Sequence, residues 1–390
     1  MSREGKMSSR KTTFISACFG MLVFGIVLTI LGTILPILLE KFNLSTLNAG
    51  GLISIMNAGI LLGTLIFGPT VDRFGYKFIL ILSILLIATG LFAISTALTI
   101  TLLKIALFIT GLGGGIINGG TNSLTSDISE TNRTAKLSLL GIFFGIGAFG
   151  IPLLFSSLLR FLEPDAIIKI TSVITLMPLF LFIFTWFPSS KQTNKDKLFQ
   201  NLKKLKNPLL IFLSILLFFE SGIEISTGNW ASTFLYRVIK VEKSQGIFSL
   251  SLFWLGMMSG RLLLSKILSV ARESTLFVVY MLIALISSIA FIFSSNYFLS
   301  SILIFFMGFG YSSTYPIVLS TIGNNFREIS TTAFSLALST AFLGGITIPY
   351  LIGLLTKTFN FRVAFVLIPL AIVIIIVIFS TIQRKTKQQA

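Results

Sequence analysis

Residues 46–98 read TLNAGGLISIMNAGILLGTLIFGPTVDRFGYKFILILSILLIATGLFAISTAL. Two apolar runs, 46–70 and 78–98, flank a short turn that carries Asp72, Arg73 and Lys77. A helix crossing the hydrocarbon core of a bilayer needs about 20 mostly apolar residues, and each run supplies that length. Neither alternates polar and apolar over about ten residues, as a membrane barrel strand does. The stretch is therefore a pair of membrane helices joined by a tight polar turn.

The same pattern recurs along the chain. Of 390 residues, 54% are hydrophobic and only 11% charged, whereas soluble chains carry roughly a quarter charged residues. The mean hydropathy is +0.96. Thirty-nine Phe stand against seven Tyr and three Trp, bulk without polar tips. So few charges cannot clothe a water-facing surface, so lipid is the solvent. The expected spans are 12–39, 46–70, 78–98, 101–125, 137–159, 166–187, 208–235, 245–265, 274–294, 297–321, 329–355 and 361–382. This gives an all-α integral membrane fold with about twelve transmembrane helices.

Lys and Arg set the orientation. With the amino terminus in the cytoplasm, 21 of the 30 basic residues fall on inner segments, six of them lysines between Lys191 and Lys206. The positive-inside rule then expects both termini in the cytoplasm of a cell (inner or plasma) membrane. The net charge of +17 reports topology and contact with anionic lipid. The basic residues are scattered among short loops, so no nucleic-acid partner is expected. The first apolar run is much longer than the roughly 7–15 residues of a secretion-signal core and reads as a retained helix.

Chemistry is limited by what is missing. Cys18 is the single cysteine and there is no histidine, which removes disulfides within the chain, Cys-based zinc sites, His-dependent triads and His proton relays. Gly113-Gly114-Gly115 lacks the Gly-Lys-Ser/Thr ending of a phosphate loop. No cofactor, metal or enzymatic activity is expected.

The most polar internal stretch, 188–207, reads as a cytoplasmic linker between an N-terminal six-helix bundle, 1–187, and a C-terminal one, 208–390. Internal echoes favour duplication. Gly68-x-x-x-Asp72-Arg73 is matched with Gly256-x-x-x-Gly260-Arg261, 188 residues on, and Gly111-x-Gly113 with Gly308-x-Gly310, 197 residues on. Transporters commonly place substrate between such halves and rock one against the other.

Gly68-Pro-Thr-Val-Asp72-Arg73-Phe-Gly75-Tyr-Lys77 resembles the G-x-x-x-D-R-x-G-[RK]-[RK] loop of the major facilitator superfamily, at the position between second and third spans where that family carries it. Tyr76 takes one of the usual basic positions. Gly68 and Gly75 suit close packing and a tight turn. Asp72, Arg73, Lys77 and, in the second half, Arg261 are expected to latch helix ends through charge-assisted bonds.

A finer resemblance is to the fucose–galactose–glucose proton symporter branch. It rests on Phe24-Gly25 through Pro36, on Phe144-Gly145-Ile-Gly147-Ala148 with Pro152, on Gly260-Arg261, and above all on Gly222-Ile-Glu224-Ile-Ser-Thr-Gly228-Asn229-Trp230. Ser138 and Gly141 depart from the Asn and His often found near glucose permeases' fifth span. The resemblance implies uptake of a hexose or related polyol coupled to protons or sodium.

In the seventh span Glu220 and Glu224 are the only acids deep within any expected helix. If that span begins near Pro208, a rise of ~1.5 Å per residue puts them ~18 and ~24 Å along it. Spacing of four places both carboxyls, with Thr227, on one face. A charge at a helix centre costs roughly 2.5–3.5 kcal/mol on insertion scales, so the face is expected to look into protein or a wet cavity. Adjacent carboxylates repel, and their titration is shared. That suits a proton-coupling site, with Glu224 as the coupling carboxylate and Glu220 as its partner; the alternative is a structural anchor. Trp230 and Asn229 invite a sugar contact, or for Trp230 an interfacial anchor. Asn118 and Asn122 in the fourth span and Tyr315 in the tenth are further polar candidates, with helix–helix packing as the other reading.

The function expected is secondary active transport by alternating access, with a small sugar-like solute and protons as partners, the bilayer as solvent and one chain as the functional unit. Two alternatives stand beside it. Gly150-Ile-Pro152 resembles the antiporter signature of drug exporters, which would make the chain a proton-driven exporter of drugs or metabolites. A non-transporting multispan enzyme or sensor is the remoter one.

Overall fold

The computed structural model describes residues 3–128, 133–188, 207–268, 270–326 and 330–389. Most of the expected linker, 189–206, lies outside the described residues. The helices are α1 (Arg3–Lys41), α2 (Thr46–Thr96), α3 (Ile100–Ile128), α4 (Arg133–Leu158), α5 (Pro164–Thr175), α6 (Met177–Phe184), α7 (Pro208–Phe234), α8 (Lys243–Ile267), α9 (Glu273–Phe293), α10 (Tyr297–Tyr311), α11 (Thr314–Asn325), α12 (Ser330–Thr358), α13 (Phe361–Phe365) and α14 (Leu367–Gln389). No strand occurs among the described residues.

Among the described residues, eleven helical segments are long and apolar enough to cross a membrane. One of them, α2, is 51 residues long and bends at Gly75, where φ is 78° and ψ 164°. At ~1.5 Å per residue a helix of that length is more than twice the ~30 Å hydrocarbon core, so it is two spans and the total is twelve. Gly75 is thus the turn the sequence asked for, in backbone geometry that a side chain would strain. Gly68 differs from expectation: a Cβ there would meet nothing within 4 Å, so close packing does not explain it.

Three spans expected to be continuous are broken. α5 passes to α6 at Leu176, α10 to α11 at Ser312–Ser313, and α13 to α14 at Val366. α7 starts at Pro208 as expected, capped by Asn207, whose side chain accepts a hydrogen bond from Leu209 N at 2.9 Å. It ends in a π-helical turn, Leu235–Ile239, closed by Lys240 in the left-handed region.

The chain divides into two compact units, one of Met1–Phe42 and Ile55–Thr193 and the other of Asn43–Ser54 and Asn194–Ala390. Residues 43–54, read from the sequence as part of the N-terminal bundle, group with the second unit. There Ser54 Oγ donates to Ile346 O at 2.7 Å, and Gly50 lies on the backbone of Pro349 and Tyr350.

Within each unit, glycine seams bring helix backbones together, as lipid-embedded helices require when apolar side chains give no net drive to associate. In the first unit, side chains at Gly59 and Gly63 of α2 would collide with the carbonyls of Phe108 and Leu112 in α3. Gly111 and Gly113 of α3 sit on the carbonyls of Met56 and Ser83 in the same way. In the second unit, Gly256 and Gly260 of α8 meet the carbonyls of Phe305 and Phe309, while Gly308 and Gly310 of α10 meet those of Phe253 and Tyr280. Every one of these residues is 197 positions from its counterpart, as is Pro349 from Pro152.

That constant offset corrects one expectation. Gly256, Gly260 and Arg261 correspond to Gly59, Gly63 and Thr64, inside a helix, and not to Gly68, Asp72 and Arg73. The counterpart of the Asp72-Arg73 turn is Ser269-Val270, which carries no charge. Arg261 therefore stands within α8, well before the turn.

The seams give a direct stability test. Gly308→Leu should lower the thermal midpoint of the purified protein, with a loss of at least about 1–3 kcal/mol from overpacking. Gly141→Ala, where a Cβ meets nothing within 4 Å, should leave it unchanged or raise it slightly.

Candidate functional site

Glu220 and Glu224 lie one turn apart on one face of α7, close enough for each carboxyl to act on the other. Glu220 is 1% exposed and its Oε1 has no hydrogen-bond partner among the described residues; Glu224 is half-buried. The face predicted from spacing is completed by Thr227, whose hydroxyl meets Tyr311 Oη at 3.3 Å. Tyr311, at the end of α10, and Tyr315, at the start of α11, both lie within electrostatic reach of the two carboxyls. Arg261 on α8 acts on both acids as well.

The second unit thus brings together Glu220, Glu224, Thr227, Tyr311, Tyr315 and Arg261. Arg261 was expected in a latch and Tyr311 was not singled out at all. A signal for the latter was present: Tyr311 precedes Tyr315 by four residues, and both flank the Ser312-Ser313 break.

Asn229 and Trp230 stand apart from this cluster. α7 continues as an α-helix through Gly228 to Phe234, so Asn229 stays rotated away, and its Nδ2 donates back to Ile225 O at 2.8 Å. Trp230 is 0% exposed. Its Nε1 donates to Pro349 O at 3.1 Å, and its ring packs edge-on to Phe361 with centroids 5.7 Å apart. The indole is enclosed by α12 and α13, which leaves no face for a sugar and no interfacial position. Both expectations for it are corrected: it is an internal lock of the second unit.

In the first unit Asn118 and Asn122 are paired. Asn122 Nδ2 donates to Asn118 O at 2.9 Å and to Asn118 Oδ1 at 3.0 Å. Both are half-buried.

The turn after the second span is anchored from two directions. Lys77 Nζ donates to Ile183 O near the end of α6, where a cation meets the negative end of the helix dipole. Tyr76, the departure from the usual basic residue, is 1% exposed and donates to Asp127 Oδ2 at 2.7 Å, with Ser123 Oγ also at 2.7 Å. Asp72 and Arg73 are exposed, and the Arg73 guanidinium lies over the Phe74 ring at 5.1 Å.

The Major Facilitator Superfamily model matches residues 17–331 and 271–390. The chain belongs to the major facilitator superfamily. It is 26% identical over 345 residues to the glucose/mannose transporter GlcP of Bacillus subtilis, covering 84% of each chain. It is also 26% identical over 314 residues to a TsgA homolog from Buchnera aphidicola subsp. Schizaphis graminum, covering 80% of each. Among solved structures it resembles the nucleoside transporter NupG, with a TM-score of 0.80 at 13% identity, covering 96% of this chain and 99% of that one. A D-xylose-proton symporter gives 0.79 at 14%, covering 94% and 96%. These two likenesses are of fold. As a superfamily member the chain is a multi-pass membrane transporter of small molecules, and not an enzyme.

The enclosed indole makes a prediction that separates packing from solute contact. Trp230→Phe should lower the thermal midpoint, with a loss of about 1–3 kcal/mol for the orphaned Pro349 carbonyl and lost packing. The apparent KM for whichever solute is carried should stay within about twofold, since uniform binding would be untouched.

Proposed function

We propose that this chain is a secondary active transporter that takes up a small sugar-like solute with protons, by alternating access, in the cell's inner or plasma membrane. The observation that carries the reading is the pair of acids on one face of a membrane helix, with Glu220 1% exposed and Glu224 half-buried one turn on. A membrane helix keeps such costly groups where they serve a path for ions or substrate.

A carboxyl pair that shares one proton has two accessible loadings, and alternating access offers each loading to a different side of the membrane. Glu224 is the coupling carboxylate because it is the less enclosed of the two. Glu220 is its partner, holding the shared proton in place. Asn118 and Asn122 are the amides, and Tyr315 the phenol, proposed to meet solute hydroxyls. The likeness to GlcP over 84% of both chains makes glucose and mannose the first solutes to try. Both termini face the cytoplasm in this reading, and one chain is the working unit. Gly75, Lys77, Asp72 and Arg73 would then latch the inner side in one state of the cycle.

Uptake of labelled D-glucose and D-mannose into proteoliposomes under an imposed pH gradient tests this. The wild type should accumulate sugar above its equilibrium level. Glu224→Gln should lose accumulation by at least about tenfold, as removal of a coupling group costs more than 1.4 kcal/mol, while keeping sugar counterflow. Unchanged uphill uptake in Glu224→Gln would refute the assignment.

A further inference from the structure

The first unit gathers three exposed cations and an exposed indole at one end. Lys77 Nζ, exposed, donates to Ile183 O and so joins the turn of α2 to the last turn of α6. Three residues on, Trp186 is 63% exposed, yet its backbone is pinned. Thr13 Oγ1 of α1 donates to Trp186 O at 2.8 Å, and the hydroxyls of Ser16 and Thr185 stand 2.9 Å apart. Lys11, two residues before Thr13, is exposed on α1. Arg73 is exposed in the turn, with its guanidinium over the Phe74 ring. These contacts tie the start of α1, the turn of α2 and the end of α6 into one surface.

Two ladders of exposed rings run away from the cations. Phe74 and Phe78 stand on α2 past the kink, with centroids 5.5 Å apart, and Phe180 and Phe184 on α6, with centroids 4.7 Å apart. All four side chains are exposed. A spacing of four sets each pair along one face of its helix. Phe78 and Phe180 are the deeper members, one turn farther from the charged end than Phe74 and Phe184. The surface thus has a cationic head level, an indole of the kind that settles at the membrane–water boundary, and apolar tracks leading into the hydrocarbon. A phospholipid has the same layers.

Charge complementarity selects an anionic headgroup. Lys11, Arg73 and Lys77 stand against one acid of the turn, Asp72. An ammonium has three donors, and the Ile183 carbonyl takes one of them without bringing a formal charge. A guanidinium lying on a ring keeps its edge free for phosphate oxygens. The fold itself does not need this set. Gly113 lies on Ser83 O and Gly310 on Tyr280 O, which fixes the register of the two turns at 197 residues. On that register Arg73, Phe74, Lys77 and Phe78 correspond to Val270, Ala271, Ser274 and Thr275. The second unit makes its turn with neither the cations nor the rings at these positions.

We propose that this end of the first unit binds one anionic phospholipid. Lys77, Arg73 and Lys11 meet its phosphate, Trp186 sits at the boundary beside the glycerol, and the acyl chains lie on the two phenylalanine ladders. The proposal rests on the functional reading above only for the name of the leaflet, which is the cytoplasmic one in that orientation. Basic pockets between membrane helices on that side suit anionic headgroups.

Native mass spectrometry tests this on purified full-length protein released from micelles that hold dioleoyl phosphatidylglycerol and dioleoyl phosphatidylcholine in equal amounts. One phosphatidylglycerol should be retained in preference to phosphatidylcholine. Lys77→Gln should weaken its apparent affinity by about fivefold, the worth of one basic group at an anionic membrane surface. Lys77→Arg should keep the affinity within about twofold of wild type. Arg272, exposed at the corresponding turn of the second unit, is the control: Arg272→Gln removes the same charge and should leave retention unchanged. An equal loss there would mean diffuse attraction to net charge and would overturn the site. If Lys77→Gln does not fold, the double variant Lys11→Gln with Arg73→Gln keeps the bond to Ile183 and should show at least the same loss; unchanged retention in it overturns the proposal. Equal retention of the two lipids overturns it too, as does a rise in thermal midpoint with inorganic phosphate as large as that with phosphatidylglycerol. None of these outcomes involves transport, so they leave the coupling reading to its own test.

Discussion

Inside a bilayer no water is at hand to pair a polar group or screen a charge, and that constraint orders everything in this chain. Backbone groups are met within helices, so the described residues of the spans are helical apart from short breaks at Leu176, Ser312–Ser313 and Val366. Helices are held together by glycine seams such as Gly59–Phe108 and Gly256–Phe305, because lipid offers apolar side chains as good a home as a neighbouring helix does. Charges are confined to ends and turns, with one exception. Glu220 and Glu224 of α7 and Arg261 of α8 stand within spans of the second unit, and among the described residues Glu220 Oε1 and Arg261 Nε are buried with no hydrogen-bond partner.

Two halves built on one plan have come to differ in chemistry while agreeing in packing. The seams keep step at 197 residues through Gly59, Gly63, Gly111 and Gly113 and their partners. Val27 packs on Gly114 in one half, and Glu220 and Glu224 lie within electrostatic reach of Tyr311 in the other. The first half offers the neutral Asn118–Asn122 pair instead. In the proposed cycle the division of labour follows from this: amides suited to hydroxyls on one side of the duplication, an ionisable cluster on the other.

Much of the fold was legible because its signals are local. Run length finds a membrane span from any single stretch, and Gly75 marks the reversal that splits the 51-residue α2. The Glu220–Glu224 face was legible too, since a spacing of four acts within one helix. What depended on distant partners was not. Trp230 reads as a sugar platform until Pro349 and Phe361 close around it, and nothing near residue 230 announces them. Arg261 was misplaced because Gly256-x-x-x-Gly260-Arg261 imitates the spacing of Gly68-x-x-x-Asp72-Arg73; only the carbonyls that those glycines touch fix the register. The breaks at Leu176 and Val366 lie in apolar runs, which look alike whether a helix continues or restarts.

The central claim is that protons move with the solute through the acids of α7. The most direct measurement is the pH of a weakly buffered medium around sealed proteoliposomes when D-glucose or D-mannose is added without any imposed gradient. The account predicts that the medium turns alkaline as the transported sugar enters, and that the change vanishes when Glu224 is replaced by Gln. Sugar entry by the wild type with no change in external pH would contradict it.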